Sequence, residues 1–222
     1  MPLPKAIRRL TPSRVRDDPR LRALAVGTGV IPPRVMHSDG EAALLADLAR
    51  GRRRVVEIGV FEGSSAVVLC DVLDPGAELH LVDPFGHHPS ALREGAAATE
   101  WATRRAVGRA ARGSRGPEVH WHVDFSANVA QGWSLPVDLV FIDGDHSEVG
   151  VVKDWDLWHP FVVEGGSVLF HDARASQPGG QGLPGPTAVV DRLFRGPRAR
   201  SDWEITEEVD RAVAVRYVPR AA

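Results

Sequence analysis

Two short apolar segments in the second half of the chain each end in a cluster of charged side chains. Residues 137–142 are followed by Asp143, Asp145 and His146, and residues 167–170 by His171 and Asp172. Buried parallel strands typically read as short continuous apolar runs. In open α/β sheets, ligands bind beyond the carboxyl ends of such strands. The two segments therefore predict neighbouring strands that bring carboxylates and imidazoles to one place, where a metal ion and a general base can act together.

The rest of the chain alternates between strand-like and helix-like patterns. Further strands are predicted at 54–59, 79–82 and 119–123, and helices at 41–50, 64–73, 89–112, 149–158 and 187–194. This alternation predicts an α/β fold, a doubly wound parallel sheet with helices on both faces. Trp203–Val209 and Ala212–Val218 alternate around a short turn and predict a terminal hairpin that adds an antiparallel strand. The Gly/Pro-rich segment 177–186 predicts a mobile loop beside the charged clusters.

Composition narrows the class of protein. The 222 residues are 43% hydrophobic with a net charge of -2, which fits one globular domain and gives no general case for nucleic acid binding. No run approaches about 18 apolar residues, so we expect no membrane segment. No apolar segment follows the basic start, and we therefore expect a cytoplasmic protein. The single cysteine, Cys70, excludes an internal disulfide, and its apolar surroundings favour a core position over a nucleophile.

Basic residues concentrate at the beginning of the chain. Residues 1–22 carry seven Lys and Arg side chains against two Asp. We expect residues 1–35 to form a basic arm or helical extension that is solvated or contacts another subunit, and residues 36–222 to form the main domain. A homodimer is the expected assembly.

A glycine turn follows the first predicted strand. Gly59 and Gly63 allow a ligand to approach the backbone closely, and the helix that begins beyond Ser64 offers free N–H groups. The spacing G-x-x-x-G differs from the dinucleotide pattern G-x-G-x-x-G and is less suited to a pyrophosphate. Glu57, near the strand end, would repel a phosphate but would pair with a cationic amine. The turn therefore favours a cofactor with an amine and no phosphate.

Asp83 ends the second predicted strand in the motif L-V-D-P-F. A carboxylate at this position can accept hydrogen bonds from both hydroxyls of a ribose, each contributing roughly 1.5–3 kcal/mol. A ligand with a ribose and a cationic amino acid end, but no phosphate, is S-adenosylmethionine (SAM). The alternative is an ordinary helix-start turn in which Asp83 is only a surface cap.

Four motifs together resemble those of the class I SAM-dependent methyltransferases: E-I-G-V-F-E-G-S-S, L-V-D-P-F, F-I-D-G-D-H-S and V-L-F-H-D. More narrowly, residues 36–218 are similar to a group of small-molecule O-methyltransferases that includes macrolide sugar O-methyltransferases and cephalosporin-hydroxylase-like proteins. The resemblance implies a Rossmann-like, mostly parallel seven-stranded sheet. It implies a SAM site made by Glu57, Gly59, Gly63, Ser65, Asp83, Asp124, Phe125 and Asp143. The match at Asp124 is looser, since the group more often has glycine there.

The same resemblance implies a metal site. Asp143 matches the first ligand, and His171 and Asp172, 28 and 29 residues later, match an adjacent ligand pair. The general base of the group lies three residues after the first ligand, where this chain has His146. Such a site has a clear chemical purpose, because a divalent metal lowers the pKa of a bound hydroxyl and a nearby base then removes its proton.

Some alternatives remain open at this site. Relatives more often have a carboxylate where His171 stands, and Mg²⁺ prefers oxygen ligands whereas imidazole suits transition metals. Either His171 lies outside the first coordination shell or the site accepts a metal such as Mn²⁺; we favour Mg²⁺ with Asp143 and Asp172 as direct ligands. Asp145 either orients His146 or contacts substrate. A purely structural interpretation makes residues 143–146 a polar turn with Ser147 as helix cap.

These patterns predict an enzyme, a SAM-dependent O-methyltransferase. The resemblance implies that its acceptor is a hydroxyl of a small molecule, a sugar or glycoside such as a macrolide sugar or a methylated mannoside. The alternatives are a cephalosporin-hydroxylase-like metal enzyme and a non-catalytic cofactor-binding protein. His87 and His88 are either further candidates for lining the acceptor pocket or exposed loop residues, and His37 is a candidate for reaching the site from the segment before the first helix.

Overall fold

The computed structural model describes residues 18–86, 100–113 and 115–219. The strands are β1 (Arg54–Ile58), β2 (Glu78–Val82), β3 (Glu118–His122), β4 (Val137–Ile142), β5 (Val162–Phe170), β6 (Trp203–Val209) and β7 (Ala212–Tyr217). The α-helices are α1 (Pro19–Thr28), α2 (Asp39–Ala49), α3 (Ser64–Val72), α4 (Glu100–Gly113), α5 (Ser126–Gln131), α6 (Glu148–Trp158) and α7 (Pro184–Val190). A 3₁₀ turn (His159–Phe161) follows α6 and a π-helical turn (Asp191–Arg195) follows α7.

Several predictions fall outside the described residues. They concern residues 1–17 of the basic arm, His87, His88, and residues 89–99 of the helix predicted at 89–112.

All seven strands form one sheet, in the order β3-β2-β1-β4-β5-β7-β6. Strands β1 to β5 pair in parallel, while β7 is antiparallel to both β5 and β6. The predicted doubly wound α/β fold with a terminal antiparallel hairpin is therefore confirmed. The chain order reverses on either side of β1, which pairs with both β2 and β4, and ligands bind at such reversal points in this class of sheet.

The register of the parallel strands aligns their carboxyl ends. Ile58 lies opposite both Val82 and Ile142, and Ile142 lies opposite Phe170. The residues that follow these four are Gly59, Asp83, Asp143 and His171. Four of the predicted site residues therefore lie side by side along the same edge of the sheet.

Each face of the sheet is covered by apolar helix surfaces. On one face, α2 and α3 contribute Leu44, Leu48 and Leu69, together with the fully buried Cys70. The complete burial of Cys70 confirms its core position, and burial, reinforced by neighbouring carboxylates, raises the pKa of its thiol to about 12. On the other face, Trp155 and Trp158 of α6 pack into the sheet, as their helical spacing predicts. Among the described helices, none has both the length and the apolar character to cross a bilayer.

Helix α1 packs against α4 and contacts the glycine turn. Asp18 caps the helix by accepting hydrogen bonds from two backbone amides, and Ala23 and Val26 pack against α4. Arg22 forms a two-pronged ion pair, at 2.6 and 2.5 Å, with the buried Glu62 of the glycine turn. The predicted domain boundary at residue 35 stays a prediction, but α1 contacts the candidate cofactor turn directly.

Two predicted boundaries were wrong. Strand β5 begins at Val162 rather than at Ser167. The prediction missed its first residues because Glu164-Gly165-Gly166 interrupts the apolar run, although it does not end the strand. The loop predicted at 177–186 ends at Leu183, since Pro184 occupies the first turn of α7 and its missing N–H costs nothing there. A bridge between Ala173 and Gly182 closes the base of this loop.

Candidate functional site

The glycine turn between β1 and α3 is a tightly constrained backbone segment. Gly59 has φ +89°, and a side chain at this position would collide with the backbone carbonyl of Asp143. Gly63 caps α3 with φ +85°, and Phe61 has the positive φ of 52° that non-glycine residues rarely adopt. Thr103 of α4 donates a hydrogen bond to the Phe61 carbonyl at 2.9 Å. Strained backbone that is held from several sides is typical of ligand sites.

Asp83 holds this turn from the neighbouring strand. Its carboxylate accepts the backbone N–H groups of Val60, Phe61 and Phe85 at 2.8, 2.9 and 2.7 Å. A carboxylate has about four acceptor positions, so the three amides leave little capacity for the two hydroxyls of a ribose. Asp83 is placed at the predicted strand end, where it orders the turn, and ribose binding would require it to share or exchange these hydrogen bonds.

Glu57 and Ser65 lie behind the turn. The Ser65 hydroxyl donates to Glu57 Oε1, while Glu57 Oε2 is buried with no hydrogen-bond partner in the described part of the chain. Burial, reinforced by the charges of Asp143 and Asp83, raises the pKa of Glu57 to about 8. A cationic ligand group that reached Oε2 would supply the missing partner and favour the ionised form.

The third strand end carries Asp124 and Phe125 to the start of α5. Asp124 is exposed and accepts hydrogen bonds from the Phe125 amide and the Asn128 side chain, both at 2.7 Å. Next to it, Ser126 donates to Asp154, a buried carboxyl group of α6 that was not predicted. Burial raises the pKa of Asp154 to about 6. The predicted adenine region therefore contains a second acidic residue, Asp154, which is buried.

Asp143, His146, His171 and Asp172 converge at the ends of β4 and β5. One ligand-type atom from each lies within 4.8 Å of all the others. Asp143 Oδ1 is 3.3 Å from His146 Nε2 and 3.0 Å from His171 Nδ1. Asp172 Oδ2 is 3.4 and 3.5 Å from the same two nitrogens. The structure thus brings together the predicted base and all three predicted metal ligands.

The charges in this cluster stabilise one another. Burial alone would lower the pKa of His171, but the carboxylates of Asp143, Asp172 and Glu41 outweigh it and raise the pKa to about 11. Burial opposes ionisation of Asp143 as well, yet the imidazoles of His146 and His171 hold its pKa below the ordinary value. The site therefore concentrates negative charge and counters it with imidazole, and a divalent cation would compete for the same position.

Glu41 and Arg211 complete the cluster, and neither was predicted. Glu41 is buried on α2, with Oε2 3.4 Å from His171 Nε2. Arg211, in the turn of the terminal hairpin, is 3.1 Å from both Glu41 Oε2 and Asp172 Oδ1. Burial would raise the pKa of Glu41, but hydrogen bonds from His171, Ser38 and Arg211 together hold it far below the ordinary value. Glu41 is therefore an ionised, buried member of the site.

The residues around His146 have separate roles. Asp145 accepts a hydrogen bond from the Ser147 amide at 2.8 Å, whereas His146 is flanked by Asp143 and Asp172. Asp145 therefore shapes the turn, and its role in orienting His146 or contacting substrate stays a prediction. Ser147 caps α6 through the Gly150 amide at 3.0 Å, as the structural interpretation predicted. The capped turn and the cluster coexist.

His37 lies on the inner side of the cluster. It lines a small cavity together with Glu41, His171 and Phe141, and its Nε2 is buried without a hydrogen-bond partner among the described residues. The histidine before α2 thus reaches the back of the site, where it faces the protein interior.

Comparisons with known proteins agree with this geometry. Residues 56–173, more than half of the chain, match the family described as "Methyltransferase domain". The chain therefore belongs to this methyltransferase family. A short match, 29% identical over 69 residues, links it to the uncharacterized protein R132 of Acanthamoeba polyphaga mimivirus and spans only 31% of each protein.

Two solved O-methyltransferases share the fold. TomG from Streptomyces achromogenes, involved in tomaymycin synthesis and solved in complex with SAM, has a TM-score of 0.57 at 19% identity, covering 91% of each chain. An O-methyltransferase from Bacillus cereus, in complex with SAH, has a TM-score of 0.59 at 17% identity, covering 93% of each chain. The expected class I methyltransferase fold is confirmed, and the narrower sugar-modifying group stays a prediction.

The contact between Gly59 and Asp143 gives a first prediction. In Gly59→Ala the added methyl collides with the Asp143 carbonyl, so we expect thermal stability and S-adenosylhomocysteine binding, measured by calorimetry, both to fall sharply. The matched control is Gly76→Ala, whose φ of +83° is similar but which has no atom within 4 Å. It should lose only about 1–2 kcal/mol from backbone strain. Equal behaviour of the two variants would contradict the close packing of the strand ends.

The buried carboxyl group of Glu57 gives a second prediction. Its pKa is about 8 when folded against an ordinary 4.5, so the folded state binds the additional proton. The contribution of Glu57 to the free energy of unfolding should therefore be largest below pH 4.5 and fall as the pH rises towards 8, by up to about 1.4 kcal/mol per pH unit. Urea unfolding across this range should show a flatter profile for Glu57→Gln. Parallel profiles for the two proteins would refute a protonated Glu57.

Proposed function

We propose that this protein transfers the methyl group of SAM to a hydroxyl of a small molecule, a sugar or glycoside, with His146 as the base and a divalent metal at Asp143, His171 and Asp172. The observation that carries the proposal is the convergence of these four side chains within 4.8 Å. They lie directly against the glycine turn, because the Asp143 amide donates to the Ile58 carbonyl at 2.9 Å. A methyl donor in the turn and a hydroxyl at the cluster would be neighbours.

SAM is supported from two directions. The glycine turn presents the free amides of the α3 N-terminus and an unpartnered buried carboxyl oxygen of Glu57. These features suit a ligand that ends in an amine and a carboxylate. In addition, the two O-methyltransferases of similar fold carry SAM or SAH in their solved structures. Asp83 would contact the ribose by sharing or exchanging the hydrogen bonds that it accepts from the turn, and Asp124 would lie in the adenine region.

The residues present fit a divalent cation. Two ligand atoms about 2.1 Å from one ion are about 3.0 Å apart at a right angle and about 3.4 Å apart at a tetrahedral angle. The separations among Asp143, His171 and Asp172 include 3.0 and 3.5 Å. His171 Nδ1 is also buried without a well-directed hydrogen bond in the described chain. Two carboxylates with one imidazole suit Mn²⁺, and we favour Mg²⁺ if His171 stays outside the first shell.

When bound, the metal would lower the pKa of the acceptor hydroxyl and orient it. The protein's own contribution is to receive the proton and to align the reacting groups. His146 is partly exposed and lies between Asp143 and Asp172, so its imidazole can meet a substrate and the resulting imidazolium would be stabilised by both carboxylates. His146 Nε2 would take the proton of the acceptor hydroxyl, and SAM would supply the methyl group and leave as S-adenosylhomocysteine.

The acceptor class follows from the sequence resemblance to sugar O-methyltransferases. The segment between Ala173 and Leu183 borders the cluster, because the Leu183 amide donates to the Asp172 carbonyl at 2.8 Å. We propose that this Gly/Pro-rich loop closes over the acceptor and excludes water, as active-site lids commonly do.

Removal of the proposed base gives the third prediction. His146→Ala should lower kcat for methyl transfer about 10²–10⁴-fold, with S-adenosylhomocysteine affinity unchanged by calorimetry. His120→Ala, on the outer strand β3, is the histidine control and should keep full activity. Unchanged turnover in His146→Ala would show that His146 is not the base. A loss of Mn²⁺ affinity in the same variant would make His146 a ligand instead.

Chelation gives the fourth prediction. Treatment with EDTA followed by desalting should abolish methyl transfer, and added Mg²⁺ or Mn²⁺ should restore it, while S-adenosylhomocysteine binding persists throughout. Full activity after chelation would eliminate the metal from the reaction. Turnover of the acceptor without any methyl donor would point instead to a hydroxylase-like reaction.

A further inference from the structure

We propose that Glu41 is a positioning residue of the metal site, which holds the His171 ring so that Nδ1 faces Asp143 and Asp172. The inference rests on the proposed metal site and concerns how that site is built. Glu41 is 3% exposed and approaches His171 from the side opposite the cluster. It belongs to α2, far from the other site residues in sequence.

The two nitrogens of His171 have different neighbours. Nε2 is 3.4 Å from Glu41 Oε2, whereas Nδ1 is 3.0 Å from Asp143 Oδ1 and 3.5 Å from Asp172 Oδ2. A carboxylate on one imidazole nitrogen keeps the proton there and leaves the other nitrogen as a more basic ligand. The rings of Phe141 and His171 pack in a T-shaped arrangement at 6.1 Å between centroids, which limits rotation of the imidazole. Glu41 therefore selects which nitrogen the cluster receives.

Glu41 is itself held rigidly. Its Oε2 accepts the Ser38 amide at 2.7 Å and its Oε1 accepts the Arg211 amide at 2.8 Å. The Arg211 guanidinium adds contacts of 3.2 and 3.1 Å to the two oxygens. These donors keep the carboxylate in one orientation, so that it can fix His171 rather than follow it.

Arg211 connects this arrangement to the other proposed ligand. Its Nη1 donates to Asp172 Oδ1 at 3.1 Å, which leaves Oδ2 towards His146 and His171. Asp172 also has the positive φ of 54°, a conformation that persists only where its surroundings enforce it. The hairpin turn and α2 together thus orient His171 and Asp172.

A capping role alone does not explain Glu41. In a capping box the glutamate needs only the amide of the N-cap residue, here Ser38, and can remain at the surface. Glu41 instead lies in the buried stripe formed by Leu44, Leu45 and Leu48. Burying a carboxylate there is costly unless specific partners offset the cost. His171 and Arg211 are the partners that a helix cap does not require.

The experiment is a titration of the full chain with Mn²⁺ alone, with free Mn²⁺ measured by electron paramagnetic resonance. Glu41→Gln should weaken Mn²⁺ binding 10–100-fold, the range typical for partners of metal ligands. In either orientation of the substituted side chain, its NH₂ group would face N–H donors where the carboxylate oxygen accepts hydrogen bonds. The matched control is Ser38→Ala, which removes the hydroxyl that caps α2 and leaves the Glu41–His171 contact in place. It should retain wild-type affinity despite a lower melting temperature.

The outcomes separate the two levels of the proposal. If wild-type protein binds Mn²⁺ and Glu41→Gln binds it equally well, the positioning role is wrong and the metal site stands. If wild-type protein does not bind Mn²⁺, both the positioning role and the proposed metal site are wrong.

A second measurement covers the case in which Glu41→Gln does not fold. In wild-type protein loaded with diamagnetic Zn²⁺, which accepts imidazole ligands, ¹⁵N shifts of His171 should show a protonated Nε2 and an unprotonated Nδ1. The reverse assignment would overturn the inference.

Discussion

The parallel register of β1, β4 and β5 is the constraint on which the candidate site depends. Ile58 pairs with Ile142, and Ile142 pairs with Phe170. Because parallel strands end at the same edge, the next residue of each strand emerges at one level. A glycine, a carboxylate and an imidazole are thereby placed side by side. The absence of a side chain at Gly59 permits the final approach, since any Cβ there would collide with the backbone of the next strand.

The charges gathered by this register need compensation from outside the sheet. Asp143 and Asp172 face two imidazoles, and Arg211 reaches Asp172 from the terminal hairpin. A buried polar network of this kind is stable only when its members satisfy one another. The antiparallel pairing of β7 with β5 brings the hairpin turn to the correct edge. The C-terminal hairpin therefore completes the sheet and also contributes charge to the site.

Much of this arrangement follows from local sequence pattern. The apolar runs before Asp143 and His171 predict both strands, and their common direction predicts that the two clusters meet. The start of β5 could not be predicted in this way, because Glu164 and two glycines interrupt the apolar pattern while the strand continues through a shift in its register with β4. Tertiary pairing overrides local preference at such positions.

The site residues that were not predicted differ in the signal that the sequence offers for each of them. Glu41 precedes Leu44, Leu45 and Leu48, and Asp154 stands between Val151 and Trp155, so both acids occupy positions of an apolar helical stripe. A carboxylate at such a position is a signal of a buried polar partner. Arg211 offers no comparable signal. Its partners Asp172 and Glu41 lie 39 and 170 residues away, and only the folded chain brings them together.

A crystal structure grown with S-adenosylhomocysteine and Mn²⁺ tests the central claim most directly, since manganese is located by its anomalous scattering. The account predicts one anomalous peak within coordination distance of Asp143 and Asp172, on the Nδ1 side of His171, and cofactor density along the glycine turn. Cofactor density in the turn without manganese at this cluster would contradict it.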